Sequence, residues 1–310
     1  MKGLNREQKK AAGFTSGIAA VIAVPGSGKT LVMMERIGNL VKIHNVQPET
    51  IIGLTFNRNA AEQMRQRLVP VLGELAQRVT LSTIHSWCHY LLRTEGKVFE
   101  IISGKEQISL IRNLMKRKRL DLSVGTILRE ISLAKNNLID VEEFRALYGS
   151  DKTMSRVAGI YESYEEEKAK KYLLDFDDLL LETYFLLSGH ESIREKYTGR
   201  YHHILIDEFQ DTNPVQLEII KLIIDANHNN DKSYWIAGDD WQSIYSFAGA
   251  SINNILNFQS TFSSSRLFIL NINYRSTPQI LKACQNLISH NVRKIEKTLK
   301  TENQDGDNVI

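Results

Sequence analysis

The chain has 310 residues, 42% of them hydrophobic and 24% charged, with a net charge of +3. This is ordinary for a soluble globular protein with room for two domains, and the slight basic excess permits a polyanion partner without demanding one. Two distant cysteines, Cys88 and Cys284, exclude a disulfide framework and a zinc cluster, and the longest apolar runs are strand-sized, which excludes a membrane-spanning helix.

The polar start "MKGLNREQKK" is unlike a signal peptide, so a cytoplasmic location is expected. The first apolar run, "IAAVIAV" (18–24), opens into a turn of Pro25, Gly26, Ser27 and Gly28, and a helix is expected over Thr30–Ile43. Further β-branched runs follow at 50–56, 204–207, 234–239 and 267–272, with helical patterns over Ala60–Val69 and Val215–Ala226. Two-sided apolar strands alternating with helices predict an α/β domain built on a parallel sheet. Between about Trp87 and Leu187 the periodicity is helical instead, which predicts an all-helical domain inserted between strands. Val157, Ile160, Tyr161 and Tyr164 fall on one helix face, with Glu165, Glu166, Glu167 and Lys168 expected on the exposed side. The basic run "KRKR" (116–119) reads as a solvated helix face. Near the end, "TENQDGD" followed by "NVI" reads as a turn and the first residues of a strand.

Gly28, Lys29 and Thr30 fit the last positions of a P-loop, although Ala23 stands where the pattern wants glycine. Gly26 and Gly28 let backbone N–H groups turn inward around a phosphate chain, and the following helix points its positive end at the same place. Lys29 would reach the β- and γ-phosphates, and the Thr30 hydroxyl would ligate Mg²⁺. Asp207 ends an apolar strand in "HHILIDEFQD", where α/β ligand sites form; it would hold Mg²⁺ through water, and Glu208 would accept a proton from the attacking water. There is no Asn-Lys-x-Asp guanine-reading segment, and the Gln8 amide could make a two-point contact with adenine. In "GDDWQSIYSFAGA" (238–250), Gln242 could sense a γ-phosphate, while Tyr245 and Phe247, with Phe56 in "LTFNRNAAEQM", could stack on nucleobases; core packing is the competing role for each aromatic. The short connector from Gln242 to Tyr245 would couple phosphate sensing to base stacking.

These segments resemble the UvrD/Rep-type superfamily 1 DNA helicases. The resemblance covers the whole chain in eight ordered matches: "LNREQKKAA", "AVPGSGKT", "LTFNRNAAEQM", "STIHSWCHYLLR", "DFDDLL", "IDEFQDTNPVQ", "GDDWQSIYSFAGA" and "NINYRST". Trp241, where an acid is commoner, is similar to the helicase IV branch. The resemblance implies a RecA-like P-loop NTPase: a first motor domain in two parts (1–87 and 188–269), the helical insertion (88–187), and the start of a second motor domain (270–310). It implies ATP and Mg²⁺ as cofactors, with Pro25, Gly26, Ser27, Gly28, Lys29, Thr30 and Leu31 around the nucleotide. Gln8 would read the adenine and Tyr274 would stack on it; Gln242 and Arg275 would contact the γ-phosphate. Phe56, Asn57, His85, Tyr245 and Phe247 would line a path for single-stranded DNA. Family members translocate 3′ to 5′ and unwind duplex ahead of them, so single/double-strand junctions are the implied substrate, with protein partners in repair or defence.

Asn59, Leu31 and Ala248 depart from the family's usual Lys, Arg and Arg. His85 has a structural alternative as a buried histidine serving a backbone carbonyl, and Asp177 and Asp178 are read as pinning the insertion to the motor. Two further family motifs, one with a transition-state arginine, are absent from these residues, so the chain is expected to be the front of a longer motor and to hydrolyse ATP poorly alone. A nucleotide-switched DNA-binding subunit of a repair, recombination or phage-defence assembly is the rival reading, and a small-molecule P-loop kinase is a more distant one.

Overall fold

A computed structural model describes residues 3–118, 121–224, 232–244 and 249–307. Its centre is a six-stranded parallel sheet. The strands are β1 (Gly17–Ala23), β2 (Ile51–Thr55), β3 (Thr80–Thr83), β6 (His203–Ile206), β7 (Ser233–Gly238) and β8 (Arg266–Leu270), in the spatial order β3-β2-β6-β7-β1-β8. The two-residue strands β4 (Glu100–Ile101) and β5 (Leu173–Leu174) pair with each other, as do β9 (Ile272–Asn273) and β10 (Lys300–Thr301).

The central strands are buried on both faces because their side chains alternate between two cores. Ile18, Ala20 and Ile22 of β1 join Ile204, Ile206, Tyr234 and Ile236 on one face. Ala19, Val21 and Ala23 join Leu205, Trp235, Ala237 and Phe268 on the other. Helices α1 (Arg6–Ala12), α2 (Lys29–Lys42) and α3 (Arg58–Leu72) cover the second face. The first is covered by α4 (Ile84–Thr94), α9 (Phe176–Gly189), α10 (Glu191–Arg200) and α11 (Pro214–Ile224), with Phe258 of the short helix α13 (Phe258–Thr261) packed in after the one-turn helix α12 (Asn253–Leu256).

Helices α5 (Gly104–Arg117), α6 (Val124–Asn136), α7 (Val141–Tyr148) and α8 (Lys152–Lys170) share a separate core of Ile111, Ile127, Ile131, Phe144, Val157 and Tyr164, among others. The chain enters and leaves this helical cluster through the β4–β5 pair. Asp175 caps α9, and the reciprocal contacts between Asp175 and Asp178 form a capping box.

The expected strands and helices recur within a residue or two at most ends, with three differences. Strand β3, "TLST", was not expected: it is an edge strand whose residues alternate between buried and half-buried rather than forming an apolar run. The run at 267–272 is two elements, β8 in the main sheet and β9 in the pair beyond it. Lys168 corrects the surface reading of α8. It follows Tyr161 and Tyr164 by seven and four residues, so it lies on the same face, and it is buried rather than exposed. Its Nζ bonds Asp175 Oδ2 (3.1 Å) and Asp178, and Lys135 bonds the same two carboxylates at 2.8 and 2.6 Å. The "KRKR" run is exposed at Lys116–Lys118, with Lys118 Nζ on Gly159 O; Arg119 lies outside the described residues, as do Asn308, Val309 and Ile310.

Candidate nucleotide site

The carboxyl ends of β1 and β6 bring the two halves of the site together. After Ala23 the chain turns through Gly26 (φ +67°) and Gly28 (φ +83°), left-handed conformations that favour glycine. A Cβ on Gly26 would also lie 2.8 Å from Arg275 Cβ and from Asn273 Nδ2, so the loop is closely covered. Gly28 caps α2, and Lys29 and Thr30 open it. Ser27 Oγ is buried without a hydrogen-bond partner at this turn.

Thr30 Oγ1 donates to Asp207 Oδ2 at 2.9 Å, across 177 positions of sequence. Lys29, nearly buried, places its Nζ 3.3 Å from Glu208 Oε2. Glu208 is held in the left-handed region (φ +51°), an uncommon conformation for a residue with a Cβ. Burial, and then the charge of Glu208, push the Asp207 carboxyl up to about 6, against the opposing pull of Lys29 and Thr30. Burial and Glu208 likewise push Asp211 up to about 7, and its buried Oδ1 has no partner. The Asp207 carboxylate and the Thr30 hydroxyl bonded to it, with Lys29 close by, are donors that suit a divalent cation and the phosphates it would bring.

Gln8 sits at the loop, but both ends of its amide are engaged: Oε1 accepts from Asn5 N and Nε2 donates to Ser27 O, at 2.8 and 2.9 Å. Asn5 completes the capping box of α1 and donates to the Tyr274 hydroxyl at 2.7 Å. Tyr274 N donates to Gly26 O, and Asn273 Nδ2 to Pro25 O, so Tyr274 and Arg275 lie directly against the phosphate loop. Leu31 is half-buried beside Gly28.

Gln242 is not bonded to Lys29 or Glu208. Its Nε2 donates to Asp239 Oδ2 at 2.6 Å. A relay joins it to the loop: Gln210 Nε2 donates to Glu208 Oε2, and Gln210 Oε1 accepts from Asp239 N, both at 2.9 Å. Gln210 and Asp239 were missed as site residues, although both stand in quoted segments. Asn5 was legible as a capping partner of Gln8 three positions on. Lys297, which bonds Asp239 and Asp240, left no local signal at all.

Among the proposed DNA-path residues, Phe56 and His85 line a small cavity with Asp207, Glu208 and Asp211. The His85 ring meets Phe176 edge-on at 6.4 Å, and burial lowers its pKa. Asn57 caps α3 through Ala60 N at 2.8 Å. Tyr245 and Phe247 lie outside the described residues. Asp177 Oδ1 accepts from Asn136, whose Oδ1 accepts from Asn213 Nδ2 at 2.5 Å, joining α6, α9 and the segment after Asp207.

Comparison with known proteins agrees with this geometry. The chain is 35% identical to the ATP-dependent DNA helicase PcrA of Bacillus subtilis, over 99% of its own length and 42% of that protein's. It is 33% identical to the ATP-dependent DNA helicase UvrD1 of Mycobacterium tuberculosis over its full length and 42% of the relative's. A probable DNA helicase II homolog of Mycoplasma capricolum is 35% identical over 94% and 41%. The chain thus spans about two-fifths of the length of the curated relatives it matches. Residues 4–263 match the UvrD/REP helicase N-terminal domain, and with a phosphate loop and an acidic pair meeting at one sheet edge, the chain belongs to that family.

Proposed function

We propose that these residues form the ATP- and DNA-binding front portion of a 3′-to-5′ DNA helicase that moves on single-stranded DNA towards single/double-strand junctions, with ATP and Mg²⁺ as cofactors and the cytoplasm as its compartment. The observation that carries this is the 2.9 Å approach of Thr30 Oγ1 to Asp207 Oδ2, which puts the phosphate loop and the acidic strand end in reach of one metal. The names of the relatives favour a motor over a nucleotide-switched subunit. We divide the chain into a first motor unit (1–87 and 188–269), a helical insertion (88–187) and the start of a second motor unit (270–310).

In this reading Lys29 exchanges Glu208 for β- and γ-phosphate oxygens, which frees Glu208 Oε2 to take a proton from water. Thr30, and Asp207 through water, would hold Mg²⁺, which neutralises charge on the phosphates. Pro25 to Gly28 would cradle the phosphates with backbone N–H groups; Gln8, Leu31 and Tyr274 would meet the base, and Gln242 and Arg275 the γ-phosphate. Phe56, Asn57, His85, Tyr245 and Phe247 would line the DNA path. Glu208→Gln should keep ATP binding and lower phosphate release about 10²–10⁴-fold. Undiminished release alongside intact binding would remove Glu208 as the base.

A further inference from the structure

Lys297 belongs to the segment between α14 (Pro278–Ser289) and β10, yet its side chain is completely buried beside the phosphate loop. Its Nζ lies 2.7 Å from Asp239 Oδ1, 2.6 Å from Asp240 Oδ1 and 3.2 Å from Ala23 O, the last residue of β1. An ammonium has three protons, and three acceptors surround this one. It also lies 4.4 Å from the centre of the Trp241 ring, within cation–π range. Trp241 in turn packs on Val24, Leu281 and Leu299, so the aromatic and the cation fasten the same two parts of the chain. Asp240 Oδ2 accepts from Ile295 N at 2.7 Å, a second tie from the same segment.

Asp239 is the hub. One oxygen takes Lys297 and Trp241 N; the other takes the Gln242 side-chain amide. Its backbone N–H continues through Gln210 to Glu208 and Lys29. A carboxylate gripped on one oxygen by a buried cation cannot rotate, so the direction of its other oxygen, and of the amide bonded to it, is fixed.

We propose that Lys297 is a positioning residue: by clamping Asp239 it aims Gln242, and so makes the preference for a nucleoside triphosphate over a diphosphate depend on residues 291–301 being seated against the end of β1. This rests on the reading of Gln242 as the γ-phosphate sensor. A lysine that only fastened the fold would affect both nucleotides alike.

The test is calorimetric titration of the chain with Mg²⁺-AMPPNP and with Mg²⁺-ADP. Lys297→Met alone leaves two buried carboxylates without a cation, so the Lys297→Met/Asp240→Asn pair, which keeps the net charge of the cluster, is the working variant. Its AMPPNP-over-ADP ratio should fall about tenfold, the scale of one charge-assisted hydrogen bond, with ADP affinity held within about twofold. Lys297→Arg should recover part of the ratio. Gln242→Ala should cause the same loss, and combining it with the pair should add nothing further, because the residues act through one contact. Asp239→Asn tests the relay with the lysine in place, should the pair melt early, and should also lower the ratio. An unchanged ratio, an equal fall for both nucleotides, or additive losses would overturn the proposal. If Gln242→Ala itself left the ratio unchanged, or the unaltered chain bound neither nucleotide, the functional reading would fail first, and visibly so.

Discussion

Two of the buried lysine–carboxylate clusters among the described residues differ in what they join. In the helical insertion, Lys135 and Lys168 sit among Asp175, Asp178 and Glu165, on three helices that pack on one another. Beside the phosphate loop, Lys297 sits between Asp239 and Asp240, at a strand's carboxyl end and far along the chain. Each set has one carboxylate more than it has lysines. In the first set Asp175 and Asp178 form a helix capping box, Glu165 and the cations come from neighbouring helices, and no member is bonded to a residue of the phosphate site. In the second, Asp239 bonds Gln242, the residue proposed to sense phosphate. The same chemistry can thus serve the fold in one place and nucleotide choice in the other, and which it serves depends on where the acids' remaining bonds lead.

The largest effect that would separate the two clusters is thermodynamic. Lys135→Met strands buried carboxylates and should cost about 3–5 kcal/mol in urea unfolding, while leaving the AMPPNP-over-ADP ratio untouched. A changed ratio would erase the distinction. A smaller effect should follow from acid. Burial alone would raise the pKa of Asp175, but the charges of Lys135 and Lys168 more than reverse this and hold it well below the usual carboxylate range. A depressed carboxyl contributes stability that is present above the unfolded value of about 4 and is lost as the pH falls below it. Far-UV melts between pH 5 and pH 3 should therefore show falling stability, with Asp175→Asn flattening the dependence; a variant as acid-sensitive as the parent would show that other carboxylates set it. The smallest effect belongs to the exposed basic run. Arg117→Ala should change stability by no more than ~0.5 kcal/mol and leave single-stranded DNA binding and its salt slope alone. A slope reduced by about one would make the run a phosphate contact after all.

What the sequence made legible follows from how local each device is. A phosphate loop needs glycines, a lysine and a hydroxyl within a few positions, and the acidic pair needs an apolar strand before it, so both could be read directly. The parallel sheet was legible because its central strands are apolar on both faces, whereas β3, half-polar at the edge, left no such mark. Lys168 was misplaced because four charged residues in a row look solvated, while the helix period puts the last of them back on the tyrosine face. Gln8 stood out as a candidate in the sequence, but the bonds to Asn5 and Ser27 that hold its amide depend on how α1 lies on the loop. Lys297 was illegible for the same reason: its partners are more than 50 positions away, and nothing in "KIEKTLK" distinguishes it from its neighbours.

The backbone at Glu208 shows what this arrangement asks of the polypeptide. A residue with a Cβ in that bend is strained by about 1–3 kcal/mol, and glycine would occupy it without steric conflict. Selection for durability alone would therefore favour glycine there, and a screen that scored only melting temperature would be drawn to discard the carboxylate. With Glu208 as the base proposed above, the position marks a conflict between robustness and work, and the glutamate is the side that prevailed.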